Sequence, residues 1–136
     1  MAHRPACHQR SSTRRILLAD DELRLRSALR LLLEYEGHHI VGEAADGRSL
    51  LLLAIQICPD ILLVDWELPG LPPSKKMSLA RPLTEVLTLI RSLCPQTRII
   101  ALSVHPEARQ PALASGVNGF VSKGDPSERL LSALAL

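Results

Sequence analysis

Five short apolar runs alternate with five helix-length segments, and this alternation limits the architectures open to the chain. The runs are Arg15 to Ala19, His39 to Glu43, Asp60 to Asp65, Arg98 to Val104 and Asn118 to Ser122. They are bounded by turn residues and have strand length. Between them, Glu22 to Glu36 carries Leu25, Ala28, Leu29 and Leu32 at helical spacing, with Gly37 as a natural stop. A second helix is expected from about Arg48 to Ile57, after the turn Asp46-Gly47 and ended by Pro59. Others are expected over Leu83 to Leu93, over Ala108 to Ser115 with Pro111 kinking or delaying it, and from Pro126 onward. Strands alternating with helices argue for a doubly wound parallel sheet with helices on both faces. Right-handed crossovers leave few ways to order five strands.

The 136 residues suit one domain with one core. Apolar residues make up 46% and aromatics only 2%, so Leu, Ile, Val and Ala must fill the interior. Four of the 16 basic residues, Arg4, Arg10, Arg14 and Arg15, precede the first apolar run or open it, and no acid does. The remaining 12 basic and 14 acidic side chains leave the folded part mildly acidic. The overall charge of +2 is therefore no argument for nucleic-acid binding. No apolar run reaches membrane-spanning length and the start has no apolar signal core. A cytoplasmic location with no membrane association is the expectation. Residues 1–13 read as a disordered basic tail, in which His3, Cys7 and His8 lack the spacing of a metal site. Cys58-Pro59 and Cys94-Pro95 stand at similar places between helix and strand. The expectation for the three cysteines is reduced, structural thiols.

Chemistry concentrates at the strand ends. The first run ends at Asp20-Asp21, the third at Asp65, the fourth near Ser103 and the fifth at Lys123. A doubly wound sheet brings all of these to one edge, where such folds bind ligands. Three carboxylates there form a hard oxygen site suited to Mg²⁺. Lysine adds a point charge and serine a hydroxyl. That set suits phosphoryl transfer to a carboxylate, with Asp65 on the central strand as the nucleophile.

In order along the chain, ILLADDE (16–22), ILLVDWELPG (61–70), IIALSVH (99–105) and GVNGFVSKG (116–124) resemble the receiver domain of two-component response regulators. The likeness is strongest to regulators with a LuxR-like or NarL-like DNA-binding domain and covers roughly residues 14–136. It implies a flavodoxin-like sheet of order 2-1-3-4-5. It implies Asp65 as phosphoacceptor, and Asp21, Asp65 and the Glu67 carbonyl as Mg²⁺ ligands, with Asp20 acting through water. Ser103 is similar to the switch hydroxyl, Lys123 to the phosphoryl-contacting lysine and Phe120 to the switch aromatic. Glu67 and His105 stand where receivers tune attack by water. Plainer roles compete: Asp20 as a helix cap, Phe120 as core, His105 as a solvated loop residue, Trp66 as a loop aromatic beside the site.

The sequence departs from the family pattern in three places. The segment PGLPPSKKMSLARP (69–82) is about ten residues longer than such loops usually are, and Pro72-Pro73 and Ser74-Lys75-Lys76 occupy the region where receivers usually carry a glycine beyond the Pro-Gly turn. Lys75 and Lys76 there suit an acidic partner or a solvated insertion. Gly124, not proline, follows Lys123. The last helix, about two and a half turns long, stops on apolar residues, as a receiver cut from a longer chain or lacking its output domain would.

The implied partners are a histidine kinase, a phosphotransfer protein or a small phosphodonor. A further partner or a second copy would dock through the fourth helix, fifth strand and last helix. No specific DNA binding is expected of this chain alone. Two other readings compete: a receiver-like module that binds without phosphorylation, and a phosphatase of the haloacid-dehalogenase type. The second has an aspartate nucleophile, but Asp65-Trp66-Glu67 departs from its D-x-D signature.

Overall fold

The computed structural model describes residues 13–76 and 78–136. The expected tail, with His3, Cys7 and His8, lies outside the described residues apart from its last position, Thr13.

The elements are β1 (Arg15–Ala19), α1 (Leu23–Tyr35), β2 (His39–Ala44), α2 (Gly47–Ile57), β3 (Ile61–Asp65), α3 (Leu83–Leu93), β4 (Arg98–Ser103), α4 (Arg109–Ala114), β5 (Gly119–Ser122) and α5 (Ser127–Ala135). All strand pairs are parallel, in the order β2-β1-β3-β4-β5. This is the expected doubly wound sheet. No helix among the described residues is long and apolar enough to cross a membrane.

Successive strand side chains point to opposite faces, which divides the interior into two cores. Leu17, Ala19, Leu62, Val64, Ile99, Ala101 and Phe120 pack with Leu50 and Ala54 of α2, Val86, Leu87 and Ile90 of α3, and Ala112 of α4. Ile16, Leu18, Ile61, Leu63, Ile100, Leu102 and Val121 pack with Leu33 of α1 and Leu130 and Leu134 of α5. Every residue of β3 is buried, as expected of a central strand covered on both sides.

Local chemistry sets most boundaries. Asp46 caps α2 by accepting the Ser49 N–H at 2.8 Å. Gly37, at φ 93°, ends α1 in the left-handed region. Pro111 does not kink a helix. A 3₁₀ turn over Pro106–Ala108 precedes α4, so Pro111 falls in the first turn, where its missing N–H costs no internal bond. On α1 the inward face is rotated from the expected one: Leu33 is fully buried and Ala28 is exposed.

Two features depart further from expectation. The long segment after β3 is not an open loop, because Leu71 and Arg81 form an antiparallel bridge with two 2.8 Å hydrogen bonds that closes residues 72–80 as a side loop. Gly70 sits beneath this closure, and a Cβ there would lie 1.9 Å from the Arg81 carbonyl oxygen. The expectation of reduced thiols is overturned at two of the three cysteines, since Cys58 and Cys94 form a disulfide. Their 36-residue separation hid the pairing. Because α2 and α3 lie side by side and run the same way, their C-terminal caps arrive together, with a Cα–Cα distance of 5.4 Å.

Candidate functional site

Parallel strands deliver their carboxyl ends to one edge, and that edge gathers the polar side chains. Asp20 follows β1 and is 2% exposed; Asp65 ends β3 and is 5% exposed. Asp21 is exposed beside them. Carboxylate oxygens of Asp20, Asp21 and Asp65 lie within 4.8 Å of one another. Ser103, fully buried, ends β4, and Lys123 follows β5.

The ladders continue past the strand ends and hold these residues in place. The Asp20 N–H donates to Ala44, the Trp66 N–H to Leu102 and the Lys123 N–H to Ser103. Asp20 Oδ1 accepts the Glu22 N–H at 2.8 Å, a local turn contact, while the cap of α1 is Glu22 without a side-chain bond. The side chain of Asp20 thus has a structural use as well as a place in the cluster. Arg26 donates to the Asp20 carbonyl oxygen and pairs with Glu43, fixing α1 against β2 beside the site.

Charge is balanced by one lysine. Lys123 Nζ lies 2.9 Å from Asp20 Oδ2 and 3.4 Å from Asp65 Oδ1. Burial raises the Asp65 pKa above the ordinary carboxylate value. The Glu67 N–H bond and the Lys123 charge offset part of this, and the Asp20 charge adds to it. Burial alone would lower the Lys123 ammonium. The Asp20 hydrogen bond and the Asp65 charge outweigh it, and its pKa is raised. Carboxylates crowded without a counter-ion repel, and here the partly buried Lys123 ammonium stands between two of them.

The structure brings together Asp20, Asp21, Asp65, Ser103 and Lys123. It adds a contact that the sequence did not reveal: Ser103 Oγ donates to Glu67 Oε2 at 2.8 Å and accepts the His105 N–H at 2.9 Å. No periodicity predicts such a bond, because it joins the last residue of β4 to a residue of the loop after β3. His105 itself points outward, 3.5 Å from Glu107. Phe120 is 8% exposed, packed in the α2–α4 core and paired in register with Ala101. Trp66 is half-buried against the same core. The three acids offer hard oxygen donors close enough to share one cation, so the residues present fit Mg²⁺.

A sequence model of the response regulator receiver domain matches residues 16–135. The chain belongs to this family. The receiver is 34% identical over 125 residues to a Pseudomonas aeruginosa protein named as a transcriptional regulator, covering 90% of this chain and 56% of the relative. It is 31% identical over 120 residues to the nitrate/nitrite response regulator protein NarL of Escherichia coli, covering 88% and 52%. Among solved structures it resembles a LuxR-family two-component response regulator from Aurantimonas sp. SI85-9A1. The TM-score is 0.72 at 29% identity, over 88% of this chain and 81% of that one. The receiver spans about half the length of the curated relatives it matches. Acceptance of a phosphoryl group on an aspartate is a general property of this family of signalling domains.

Proposed function

We propose that Asp65 is the phosphoacceptor of this receiver and that its phosphorylation is Mg²⁺-dependent. The observation that carries the reading is the placement of the Lys123 ammonium between Asp65 and Asp20, with the Ser103 hydroxyl at the end of the next strand. Oδ1 of Asp65 is engaged by the Glu67 N–H and Lys123, which leaves Oδ2 as the oxygen to attack phosphorus. Lys123 would follow the charge onto the transferred group, exchanging a contact with Asp20 for a phosphoryl oxygen. Ser103 would release Glu67 and donate to another oxygen. Asp21, Asp65 and the Glu67 carbonyl would hold Mg²⁺, with Asp20 acting through water. The bound ion would supply positive charge against the equatorial oxygens of the transferring group. Glu67 and His105 flank the Ser103 hydroxyl and would set how readily water reaches the acyl phosphate.

A histidine kinase, a phosphotransfer protein or a small phosphodonor would be the source of the phosphoryl group, in the cytoplasm. The domain would assist its own phosphorylation and dephosphorylation. Movement of Ser103 and Phe120 would alter the face formed by α4, β5 and α5, where a partner or a second copy would dock. DNA recognition is not assigned to this segment.

Trp66, the only tryptophan, adjoins Asp65 and reports on it. Its fluorescence should change saturably with Mg²⁺ and again with acetyl phosphate, and Asp65→Ala should abolish the second step. Labelling by acetyl phosphate that persists in Asp65→Ala would overturn the assignment. A folded chain with no Mg²⁺ response would favour the phosphorylation-independent module. Steady turnover of a phosphate ester, in place of one phosphoryl group per chain, would favour the phosphatase.

A further inference from the structure

The Cys58–Cys94 bridge lies at the edge of the sheet opposite the carboxylates. Cys58 follows α2 and Cys94 follows α3, so the bond ties the C-terminal ends of two adjacent helices. Their N-terminal ends are held by another device. A Cβ on Gly47, the first residue of α2, would meet the Gly70 carbonyl oxygen at 2.5 Å, and a Cβ on Gly70 would meet the Arg81–Leu83 backbone that leads into α3. The helix pair is thus fastened at one end by the long loop after Asp65 and at the other by sulfur.

Two observations set this bridge apart from a sealed structural one. Cys58 is exposed, whereas Cys94 is 3% exposed with its sulfur 3.5 Å from the Ala54 carbonyl oxygen. An incoming thiolate can therefore reach only one of the two sulfurs. Cys58 also adopts φ 44°, the only positive φ on a non-glycine residue among those described. That cap position favours glycine, and a side chain there is disfavoured unless something holds it. Here the Cys58 N–H donates to Ala54, Arg15 donates to the Cys58 carbonyl oxygen, and the sulfur is bonded to Cys94.

We propose that Cys58–Cys94 is a thiol–disulfide exchange site, opened by a dithiol reductant at Cys58, whose state sets how firmly α2 and α3 are joined at their C-terminal ends. The inference rests on the receiver reading for one point only: such a domain works where thiols are kept reduced, and disulfides there are transient. The reductant's thiolate bonds to Cys58 Sγ, the S–S bond breaks, and Cys94 leaves as a thiolate that takes up a proton. The reductant's second thiol then attacks the mixed disulfide and releases the Cys58 thiol. Two electrons pass to the protein and the dithiol becomes a disulfide. Re-formation is the reverse exchange, with a disulfide oxidant of the glutathione class.

The test uses the full chain with Cys7→Ser, so that only the bridging pair is read. The folded protein is equilibrated with mixtures of reduced and oxidised dithiothreitol, quenched in acid, alkylated with N-ethylmaleimide and weighed intact. The expected result is zero labels when oxidised and two when reduced, interconverting reversibly with the circular dichroism of a folded chain retained. Oxidised glutathione added to the reduced protein should be trapped on Cys58 and not on Cys94. In Cys94→Ser the Cys58 thiol should label at least tenfold faster than Cys94 does in Cys58→Ser. A bridge that opens only after urea unfolds the chain would overturn the proposal. So would two free thiols after equilibration with oxidised dithiothreitol, or a glutathione adduct mapped to Cys94. Labelling is read without phosphorylation, so the same result in Asp65→Ala separates this inference from the fate of the phosphoacceptor assignment.

Discussion

Replacing Lys123 with Met tests the electrostatics of the site most directly. The change keeps an unbranched stem and removes the ammonium that lies 2.9 Å from Asp20 and 3.4 Å from Asp65. The side chains of the two acids are 3% and 7% exposed, so solvent replaces little of the lost charge. Removing one partner of a buried ion pair costs about 3–5 kcal/mol. Proton uptake sets a ceiling on that cost. Bringing an ordinary aspartate, of pKa near 3.9, to its neutral form takes about 1.4 kcal/mol for each pH unit above that value. The ceiling is therefore about 4 kcal/mol at pH 7 and about 1.5 kcal/mol at pH 5. Asp65 is the natural recipient, since burial already raises its pKa and the variant removes the opposing lysine. A raised folded-state pKa gives stability that is present in acid and lost as pH rises through the folded value. The gap between wild type and Lys123→Met should thus be about 3–4 kcal/mol at pH 7 and shrink below about 1.5 kcal/mol at pH 5. Urea unfolding in EDTA, followed by Trp66 fluorescence with the slope checked for constancy, measures both values. Added Mg²⁺ should restore part of the variant's deficit at pH 7. A loss under about 1 kcal/mol at pH 7, or an equal loss at both pH values, would refute the claim that Lys123 balances a buried carboxylate pair.

Three further outcomes follow from the geometry. Gly70→Ala drives a Cβ into the Arg81 carbonyl oxygen and should break the Leu71–Arg81 bridge. Two hydrogen bonds at about 1 kcal/mol each, with overpacking of about 1–3 kcal/mol, predict a loss of at least about 3 kcal/mol in urea unfolding. His38 accepts the Arg14 N–H on Nδ1, and burial, then the Arg14 charge, holds its pKa below the ordinary value. A depressed folded-state pKa means stability that is full above about pH 6.5 and is lost as pH falls, so His38→Gln should flatten the urea midpoint between pH 7 and 5.5. An unchanged slope would remove His38 from the account. Reduction of Cys58–Cys94 should lower stability by about 4 kcal/mol on chain entropy for a loop of this length, read as a shift in the urea midpoint.

Continuous apolar runs of strand length, alternating with segments of period 3.6, made the fold legible, because strands covered on both faces are apolar on both. The strand ends were legible for the same reason: once five strands run one way, Asp20, Asp65, Ser103 and Lys123 must share an edge. Side-chain partners were less so. Lys123 read as a point charge beside the strand-end carboxylates, but which of them it pairs with, Asp20 at 2.9 Å and Asp65 at 3.4 Å, was not legible. The Ser103–Glu67 bond depends on the path of the loop after Asp65, whose prolines exclude a helix but do not fix where the chain turns. The rotated face of α1 shows the limit of periodicity. Ala28 and Leu33 lie five residues apart, and an apolar stripe wide enough to include both does not say which one meets the sheet. The disulfide was within reach of topology but not of spacing. Both cysteines follow a helix and precede a strand, so right-handed crossovers carry both to the same edge.

The two sheet edges divide the labour of the domain. At the carboxyl edge, buried charge is balanced by a single lysine, and Ser103 holds hydrogen bonds that a phosphoryl group would have to displace. At the opposite edge, a covalent tie joins α2 and α3. The rigid part lies between them, where apolar side chains from all five strands pack on both faces. A close-packed interior does not deform smoothly. A change at the carboxyl edge is therefore transmitted by elements able to move as bodies. The long loop after Asp65 reaches the site at Glu67 and the helix pair at Gly70, and its closure at Leu71–Arg81 keeps those two contacts in one short segment. That makes α2 and α3, with α4, candidates to respond to the state of Asp65, and it makes the fastening of their far ends consequential. With the tie closed, the C-terminal ends of α2 and α3 stay fixed to each other. With it open, the two C-terminal ends are no longer fixed to each other.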